Sequence, residues 1–212
     1  MNIAVLGTGR VAHTVAAKLA SVGHTVVLGS RNPDAPRADR EPLPPVVHVV
    51  SHAAAAASAD VVFNALPGDV TLETLDTIGA ERLAGKVLVD VANAIAFGDG
   101  SFALLYPNGS LGEAVQALLP ETRVVKTLNT MNTSVMTDPT GLSSASSVFV
   151  SGDDAGAKAT VIRLLGDLGW PAEWVIDLGG ISTARGPEHA MLLLAGLFGS
   201  LGTLRFNLAV IR

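Results

Sequence analysis

The chain has 212 residues, of which 49% are hydrophobic and 16% charged, a composition that supports a large buried core in one globular domain. The net charge of -5 argues against binding to nucleic acid or to an anionic membrane surface. The absence of cysteine excludes disulfides, thiolate metal sites and cysteine nucleophiles, and it permits a reducing compartment.

Short apolar runs alternate with helical patterns along the chain. Strands are predicted at residues 2–7, 24–30, 45–50, 60–67, 85–93, 123–130, 146–154 and 172–179. Helices are predicted at residues 10–22, after Ser51, at 70–79, from Ser110 to Leu118, after Asp153 or Asp154, and from about Pro187 onward. Residues 32–45 and 94–109 are predicted loops.

This alternation predicts an α/β protein with a doubly wound, mostly parallel sheet. We expect one domain, 1–212, with a core at 1–145 and a C-terminal extension at 146–212 that ends in a closing helix. The apolar stretch 190–204 is shorter than the roughly 20 residues that span a bilayer. The chain is therefore expected to be soluble and cytoplasmic, with this stretch forming a buried or interfacial helix.

The first predicted turn has the spacing of a dinucleotide-binding loop. Its residues, Gly7-Thr8-Gly9-Arg10-Val11-Ala12, match G-x-G-x-x-G/A and lie between a strand and a helix. In such a loop the first glycine allows a tight turn, the second lets the backbone approach a diphosphate, and the helix N-terminus favours the phosphate charge. The pattern predicts a Rossmann-type cofactor site, and a turn kept only for packing is the alternative.

The end of the second predicted strand lacks the acidic residue that binds the ribose of NAD. Such an acid accepts hydrogen bonds from the ribose hydroxyls and repels a 2′-phosphate, but residues 27–32 contain no Asp or Glu. Ser30 can donate a hydrogen bond, and Arg31 can hold a phosphate through two parallel bonds. The pair predicts NADP(H) as the cofactor unless Arg31 is only a solvated charge, and Arg37 and Arg40 are candidates for a second cation.

Ligands of an open parallel sheet lie beyond the carboxyl ends of its strands. The residues at three such ends that suit the nicotinamide side are Ala65, Leu66, Pro67, Asn93, Lys126 and Asn129. Asn93 and Asn129 can bind the carboxamide or neighbouring backbone, and Lys126 can hold an anionic partner or pair with Asp90. Hydrogen bonding within the loops is the alternative for each of them.

No catalytic acid, base or nucleophile stands out, and no metal site is predicted. The five histidines lack the spacing of metal ligands, and no serine has the sequence context of a nucleophile elbow. Hydride exchange between two ring cofactors depends mainly on proximity and orientation. It therefore fits this sequence better than alcohol oxidation, which needs a group to move the hydroxyl proton.

Five segments together resemble one enzyme family. They are GTGRVAHTVAAKLASVGHTVVLGSRNP (7–33), ADVVFNALP (59–67), VDVAN (89–93), VVKTLNT (124–130) and LRFNLAVIR (204–212). In these segments the chain resembles the NADPH:F420 oxidoreductases, also called F420-dependent NADP reductases. The ferrireductase domains of the STEAP metalloreductases look similar and use flavin instead.

The resemblance implies a residue-by-residue assignment of the site. NADP would bind to Gly7, Thr8, Gly9, Arg10 and Val11, with Ser30 and Arg31 on its 2′-phosphate. Residues 65–67 and Asn93 would line the nicotinamide, with Lys126 and Asn129 nearby. The deazaflavin F420 would stack there as a small-molecule co-substrate and exchange a hydride directly with the nicotinamide.

Two other functions remain open at this point. One is an NADPH-dependent reductase of flavin, ferric iron or a small carbonyl compound, and the other is a binding protein that senses NADP(H) without turnover. The apolar C-terminal helix is expected to form a homodimer interface that covers the cleft, although in a sensor it would be the partner surface.

Overall fold

The computed structural model describes residues 1–35, 43–98 and 101–211, so Arg37 and Arg40 lie outside the described residues. The strands are β1 (Asn2–Leu6), β2 (Thr25–Ser30), β3 (His48–Ser51), β4 (Val61–Asn64), β5 (Val87–Asp90), β6 (Ile95–Gly98), β7 (Ser101–Leu104), β8 (Arg123–Thr127), β9 (Val148–Ser151) and β10 (Val175–Gly179). The helices are α1 (Arg10–Ser21), α2 (His52–Ser58), α3 (Thr71–Ile78), α4 (Ala80–Leu83), α5 (Leu111–Leu118), α6 (Thr133–Met136), α7 (Ala155–Asp167), α8 (Arg185–His189) and α9 (Met191–Leu201).

Eight strands form one sheet in the order β10-β9-β8-β5-β4-β1-β2-β3. Every neighbouring pair is parallel except β8 and β9, which are antiparallel. The predicted doubly wound, mostly parallel sheet is confirmed, and the order of its strands from β3 to β8 is that of a Rossmann sheet. The direction of winding reverses between β1 and β4, and a crevice for ligands is expected there. The division into a core and an extension at residue 146 stays a prediction.

The strands are apolar because both faces of the sheet are covered. Ile3 and Val5 of β1 pack into one hydrophobic cluster with α1 and α7, while Ala4 and Leu6 pack into a second cluster with α2, α3 and α5. Successive residues of a strand point to opposite faces, so a strand between two helical layers is hydrophobic throughout. This burial holds the carboxyl ends of the central strands in fixed positions.

The predicted helix signals act as expected at several ends. Side-chain oxygens of Ser51, Ser110 and Asp154 each accept a hydrogen bond from the backbone N–H three residues later. Gly23 follows α1 with a φ of +95°, the conformation that ends helices at glycine. In the described ranges, no helix has both the length and the apolar character needed to cross a bilayer.

Some predicted elements were wrong. Residues 94–109 are not a loop throughout, since β6 and β7 form an antiparallel hairpin there. The one final helix predicted from about Pro187 is two helices, namely α8, which begins at Arg185 after a 3₁₀ turn at Ile181–Ala184, and α9. Strands β4, β5 and β8 end earlier than predicted, at residues 64, 90 and 127. The residues that follow these strands are therefore loops that can adopt the irregular backbone of a ligand site.

Candidate functional site

The glycine turn connects β1 to α1 at the carboxyl edge of the sheet. Gly7 has a φ of +112°, and a Cβ added there would lie 2.7 Å from the carbonyl oxygen of Ala65. Only glycine fits this position, because of that φ and the close carbonyl, and the Gly7 N–H donates to the Gly29 carbonyl at 3.0 Å. Gly9 differs, because a Cβ added there would meet no protein atom within 4 Å. The backbone at Gly9 therefore faces open space at the start of α1.

A cavity of about 740 Å³ opens over this turn, and we call it the cofactor crevice. Ten of the predicted residues line it, namely Gly7, Thr8, Gly9, Arg10, Val11, Ser30, Arg31, Ala65, Leu66 and Pro67. They lie at or directly after the carboxyl ends of β1, β2 and β4, which are neighbours in the sheet. The crevice has the size of a small-molecule or cofactor site, and the residues present fit a dinucleotide because the turn leaves its backbone open to a diphosphate.

Ser30 and Arg31 line the crevice at the end of β2. Ser30 is largely buried, and its hydroxyl oxygen accepts from the Asn32 N–H at 3.1 Å. The same hydroxyl can donate its proton to a phosphate oxygen. Arg31 is exposed, so its guanidinium can reach an anion in the crevice. The acidic residue in the described lining, Asp69, follows β4 and does not occupy the ribose-binding position after β2.

His52 also lines this end of the crevice and was missed in the sequence. Its Nδ1 atom is buried, and no described residue hydrogen-bonds to it. A Cβ added to Gly29 would lie 2.8 Å from this atom, so the ring fills the space that glycine leaves open. Burial, and after it the positive charge of Arg31, lowers the pKa of His52. The rule that ligands lie beyond strand ends could have found it, since β3 ends at Ser51.

Asn93 and Asn129 join the loops that follow β5 and β8. Asn93 Nδ2 donates to the Asn129 carbonyl at 2.8 Å, and Asn129 Nδ2 donates to Asn93 Oδ1 at 3.0 Å and to the Pro187 carbonyl at 3.0 Å. Leu128 has a φ of +60°, which is unusual for a bulky residue and costs about 1–3 kcal/mol. The packed loop thus holds Leu128, the residue before Asn129, in a conformation that an isolated chain would avoid.

Lys126 lies behind these amides in a buried charge network. Its Nζ atom is 2.9 Å from Asp90 and 3.0 Å from Glu188, and it also donates to the Ala92 carbonyl. Burial alone would lower the pKa of Lys126, but the two carboxylates outweigh it and raise the pKa. Of the two predicted roles, pairing with Asp90 is the one that the structure shows. The complete burial of the Lys126 side chain argues against direct contact with a ligand.

Glu188 ties the C-terminal part of the chain to the core. Its carboxylate accepts from the N–H groups of Leu111 and Gly112 at 2.7 and 3.0 Å while it pairs with Lys126. These contacts join α8 to the first turn of α5 and to β8. The C-terminal helices are thereby fixed beside the carboxyl edge of the sheet.

A second cavity of about 320 Å³, which we call the apolar pocket, lies between the β6–β7 hairpin and α9. Asn93, Asn129, Thr130 and Asn132 supply its polar lining, and the other lining residues are Ile95, Phe102, Met131, Met191, Leu194, Ala195, Phe198, Leu204 and Phe206. A Cβ added to Gly68 would overlap the Asn93 carbonyl, so the loop after β4 packs directly against this wall. The apolar pocket and the cofactor crevice are therefore neighbours.

Comparison with known proteins decides the family. Residues 2–94 match the family described as NADP oxidoreductase, coenzyme F420-dependent. The chain is 30% identical over 210 residues to the F420-dependent NADP reductase of Methanocaldococcus jannaschii, across 93% of this chain and 92% of that protein. The chain belongs to this family.

Two further relatives place the chain within a wider set of reductases. A crystal structure from Arthrobacter sp. FB24, provisionally described as an F420-dependent NADP-reductase, is 48% identical with a TM-score of 0.94 over 100% of both chains. Human metalloreductase STEAP2 is 29% identical over 93% of this chain and 37% of its own length. The chain thus spans little more than a third of the STEAP protein that it matches.

This member of the F420-dependent NADP reductase family brings most of its predicted site residues to the two cavities. Ten line the cofactor crevice, Asn93 and Asn129 line the apolar pocket, and Lys126 lies behind them. The binding role of each residue stays a prediction. Within residues 1–35, 43–98 and 101–211, no three His, Asp or Glu side chains form a group that could hold a metal ion.

Proposed function

We propose that this protein transfers a hydride between NADP(H) in the cofactor crevice and coenzyme F420 in the apolar pocket. The observation that carries the proposal is the direct contact between the loop of residues 65–68 and Asn93, because it places the two cavities side by side. Proximity of two bound rings is the main requirement for hydride exchange.

A chain without cysteine needs no oxidising compartment, so the proposed location is the cytoplasm.

The cofactor half of the proposal rests on the crevice. The open backbone at Gly9 and the start of α1 would hold the diphosphate, and Ser30 and Arg31 would hold the 2′-phosphate. Residues 65–67 and Asn93 would then border the nicotinamide. NADPH supplies the hydride when it is bound, and the task of the chain is to bind it, orient it and exclude water.

The acceptor half of the proposal rests on the apolar pocket. Its described lining contains no charged side chain, and it includes flexible methionines that adapt to a flat apolar ring, Met131 and Met191. The polar side chains in this lining, Asn93, Asn129, Thr130 and Asn132, are the groups that could orient polar edges of that ring. Direct hydride transfer needs no acid or base from the protein, so an uncharged lining is suited to it.

We also propose that α9 forms a homodimer interface. Leu192, Leu193, Phe198 and Leu201 are 51%, 57%, 46% and 55% exposed, and residues 191–201 carry no charge. An uncharged apolar face is complementary to a second copy of itself across a twofold axis. Because Phe198 also lines the apolar pocket, a partner on α9 would help to close it.

The dimer is tested by light scattering on the Leu193→Glu variant. We expect the unaltered chain to have the mass of a dimer and the variant that of a monomer, since a buried carboxylate is costly. Val22→Glu is the matched control, because Val22 is 44% exposed at the C-terminal end of α1, at the edge of the sheet opposite to the cavities and α9, and the dimer mass of this variant should not change. A monomeric unaltered chain, or a dimeric Leu193→Glu variant, would contradict this interface.

Hydride transfer is tested by mixing the purified protein with NADPH and oxidised F420 and following the visible absorbance of the deazaflavin. FMN, FAD and a blank without protein serve as controls. We expect protein-dependent bleaching of F420 and none of the flavins. Bleaching of a flavin alone would make the protein a flavin reductase, and bound NADPH without any turnover would favour the sensor.

A further inference from the structure

His52 occupies the part of the crevice where the 2′-phosphate is proposed to bind. It lines the cofactor crevice together with Ser30 and Arg31, and it lines an adjoining cavity that shares both of these residues. It follows β3, which is the neighbour of β2 in the sheet, and Ser30 pairs with Ser51 in their register. The imidazole therefore stands beside the two residues assigned to the phosphate.

One ring nitrogen of His52 has no hydrogen-bond partner among the described residues. This atom, Nδ1, is buried against Gly29. The ring is only partly buried as a whole and borders both cavities. Burial, followed by the charge of Arg31, lowers the pKa of His52 from the usual 6.5. A neutral imidazole beside a guanidinium is thus the favoured state of the free protein at neutral pH.

The charges around His52 come from several elements packed against α2. They are Arg31, Asp69, Glu73, Asp76, Glu81, Arg82 and Lys86, and His48 of β3 is a further titratable group. Glu81 and Arg82 pair with each other at 2.7 Å, and Lys86 donates to carbonyls at the far end of α2. Asp69 and Glu73 line the cavities with His52, but Arg31 is the group whose charge acts on its pKa.

We propose that His52 is a third ligand of the 2′-phosphate and takes up a proton from solvent when NADP(H) binds. The inference rests on the cofactor site proposed above. A phosphate monoester carries up to two negative charges, and a negative charge close to imidazole favours the imidazolium. The imidazolium then adds a charge-assisted hydrogen bond to those from Ser30 and Arg31. NAD(H) has no 2′-phosphate and therefore causes no uptake.

The proposal fixes the sign of the pH dependence. The pKa of His52 is lowered in the free protein and higher in the NADP complex, so protons are taken up between these two values. The affinity for NADP is greatest below the pKa that His52 has in the free protein. It declines as the pH rises from that pKa to the higher pKa of His52 in the complex. The contribution of the phosphate to the proton count has the opposite sign. Arg31 favours the phosphate dianion, so the phosphate would release a proton on binding.

Two measurements test this inference. Calorimetry of NADP⁺ binding near neutral pH, in buffers of different ionisation enthalpy, counts the protons exchanged without any variant. Dissociation constants for NADP⁺ and NAD⁺ between about pH 6.5 and pH 8.5 give the linkage, with His52→Gln as a neutral variant of similar size. We expect net proton uptake with NADP⁺ and an affinity that falls about tenfold over this range in the unaltered protein. The His52→Gln variant should lose both effects.

Equal proton counts in the unaltered protein and in His52→Gln, or an equal pH dependence for NAD⁺, would overturn the role of His52. The Arg31→Ala variant separates this outcome from a failure of the cofactor site. If Arg31→Ala loses its preference for NADP⁺ while His52→Gln titrates like the unaltered protein, only the His52 inference fails. If Arg31→Ala keeps that preference, the 2′-phosphate assignment itself fails, and the His52 inference fails with it.

Discussion

The Arg31→Ala substitution removes the cation that lines the crevice directly after β2. A hydrogen bond to a charged group contributes about 1.5–3 kcal/mol to binding, and Arg can form two of them with one phosphate. Because Arg31 is exposed, water competes for these bonds and the lower half of that range applies. We therefore expect NADPH binding to weaken about ten- to a hundredfold. NADH lacks the 2′-phosphate, so Arg31 could contribute to its binding only by stacking on the adenine ring, which is worth less than about 1 kcal/mol at an exposed site.

The assay is a titration of each nucleotide at one fixed ionic strength, followed by nicotinamide fluorescence. Arg31→Lys keeps the charge but loses the fork geometry, so it should fall between the unaltered protein and Arg31→Ala. Arg163→Ala, which removes an exposed arginine from α7, should bind both nucleotides normally. A parallel loss of NADPH and NADH affinity in Arg31→Ala would refute the reasoning, because the effect would then lie outside the 2′-phosphate.

Three further substitutions test the framework of the site. Gly9→Val should abolish binding of both nucleotides at a cost of only about 1 kcal/mol in stability, because a Cβ there meets no protein atom and the N-cap of α1 prefers glycine to valine, and retained binding would remove the cofactor from this turn. Gly7→Ala should destabilise the fold by about 2–4 kcal/mol, because the new Cβ would lie 2.7 Å from the Ala65 carbonyl oxygen at a φ of +112°. An unchanged midpoint of urea unfolding would contradict this. Glu188→Gln should cost about 3 kcal/mol in urea unfolding by disturbing the buried network, whereas Glu81→Gln in the exposed pair with Arg82 should change little.

The sheet and the cofactor crevice were predictable because their signals are local. Buried parallel strands are continuous apolar runs, and the glycine turn combines a fixed spacing with a strand before it and a helix after it. The caps at Ser51 and Ser110 are equally local, since each serine bonds to a backbone group three residues away. These features were visible without any knowledge of distant contacts.

The apolar pocket was less predictable because distant segments build it. Asn93 and Phe198 line the same cavity although they are far apart in the chain, and neither has a local motif for that role. Lys126 had two possible partners in the sequence, and the structure shows Asp90 together with Glu188 of α8. The positive φ of Leu128 is likewise imposed by packing, because leucine does not favour this conformation.

Direct hydride transfer from NADPH to F420 is the central claim, and isotope transfer tests it most directly. NADPH carrying deuterium at one or the other of its two C4 positions is oxidised by the protein in ordinary water with F420 as acceptor. Mass spectrometry of the reduced deazaflavin should find the deuterium from one labelled form and none from the other, since a single stacked geometry exposes one face of the nicotinamide. Reduced F420 without deuterium from either form would contradict the account, because its new hydrogen would then have come from solvent.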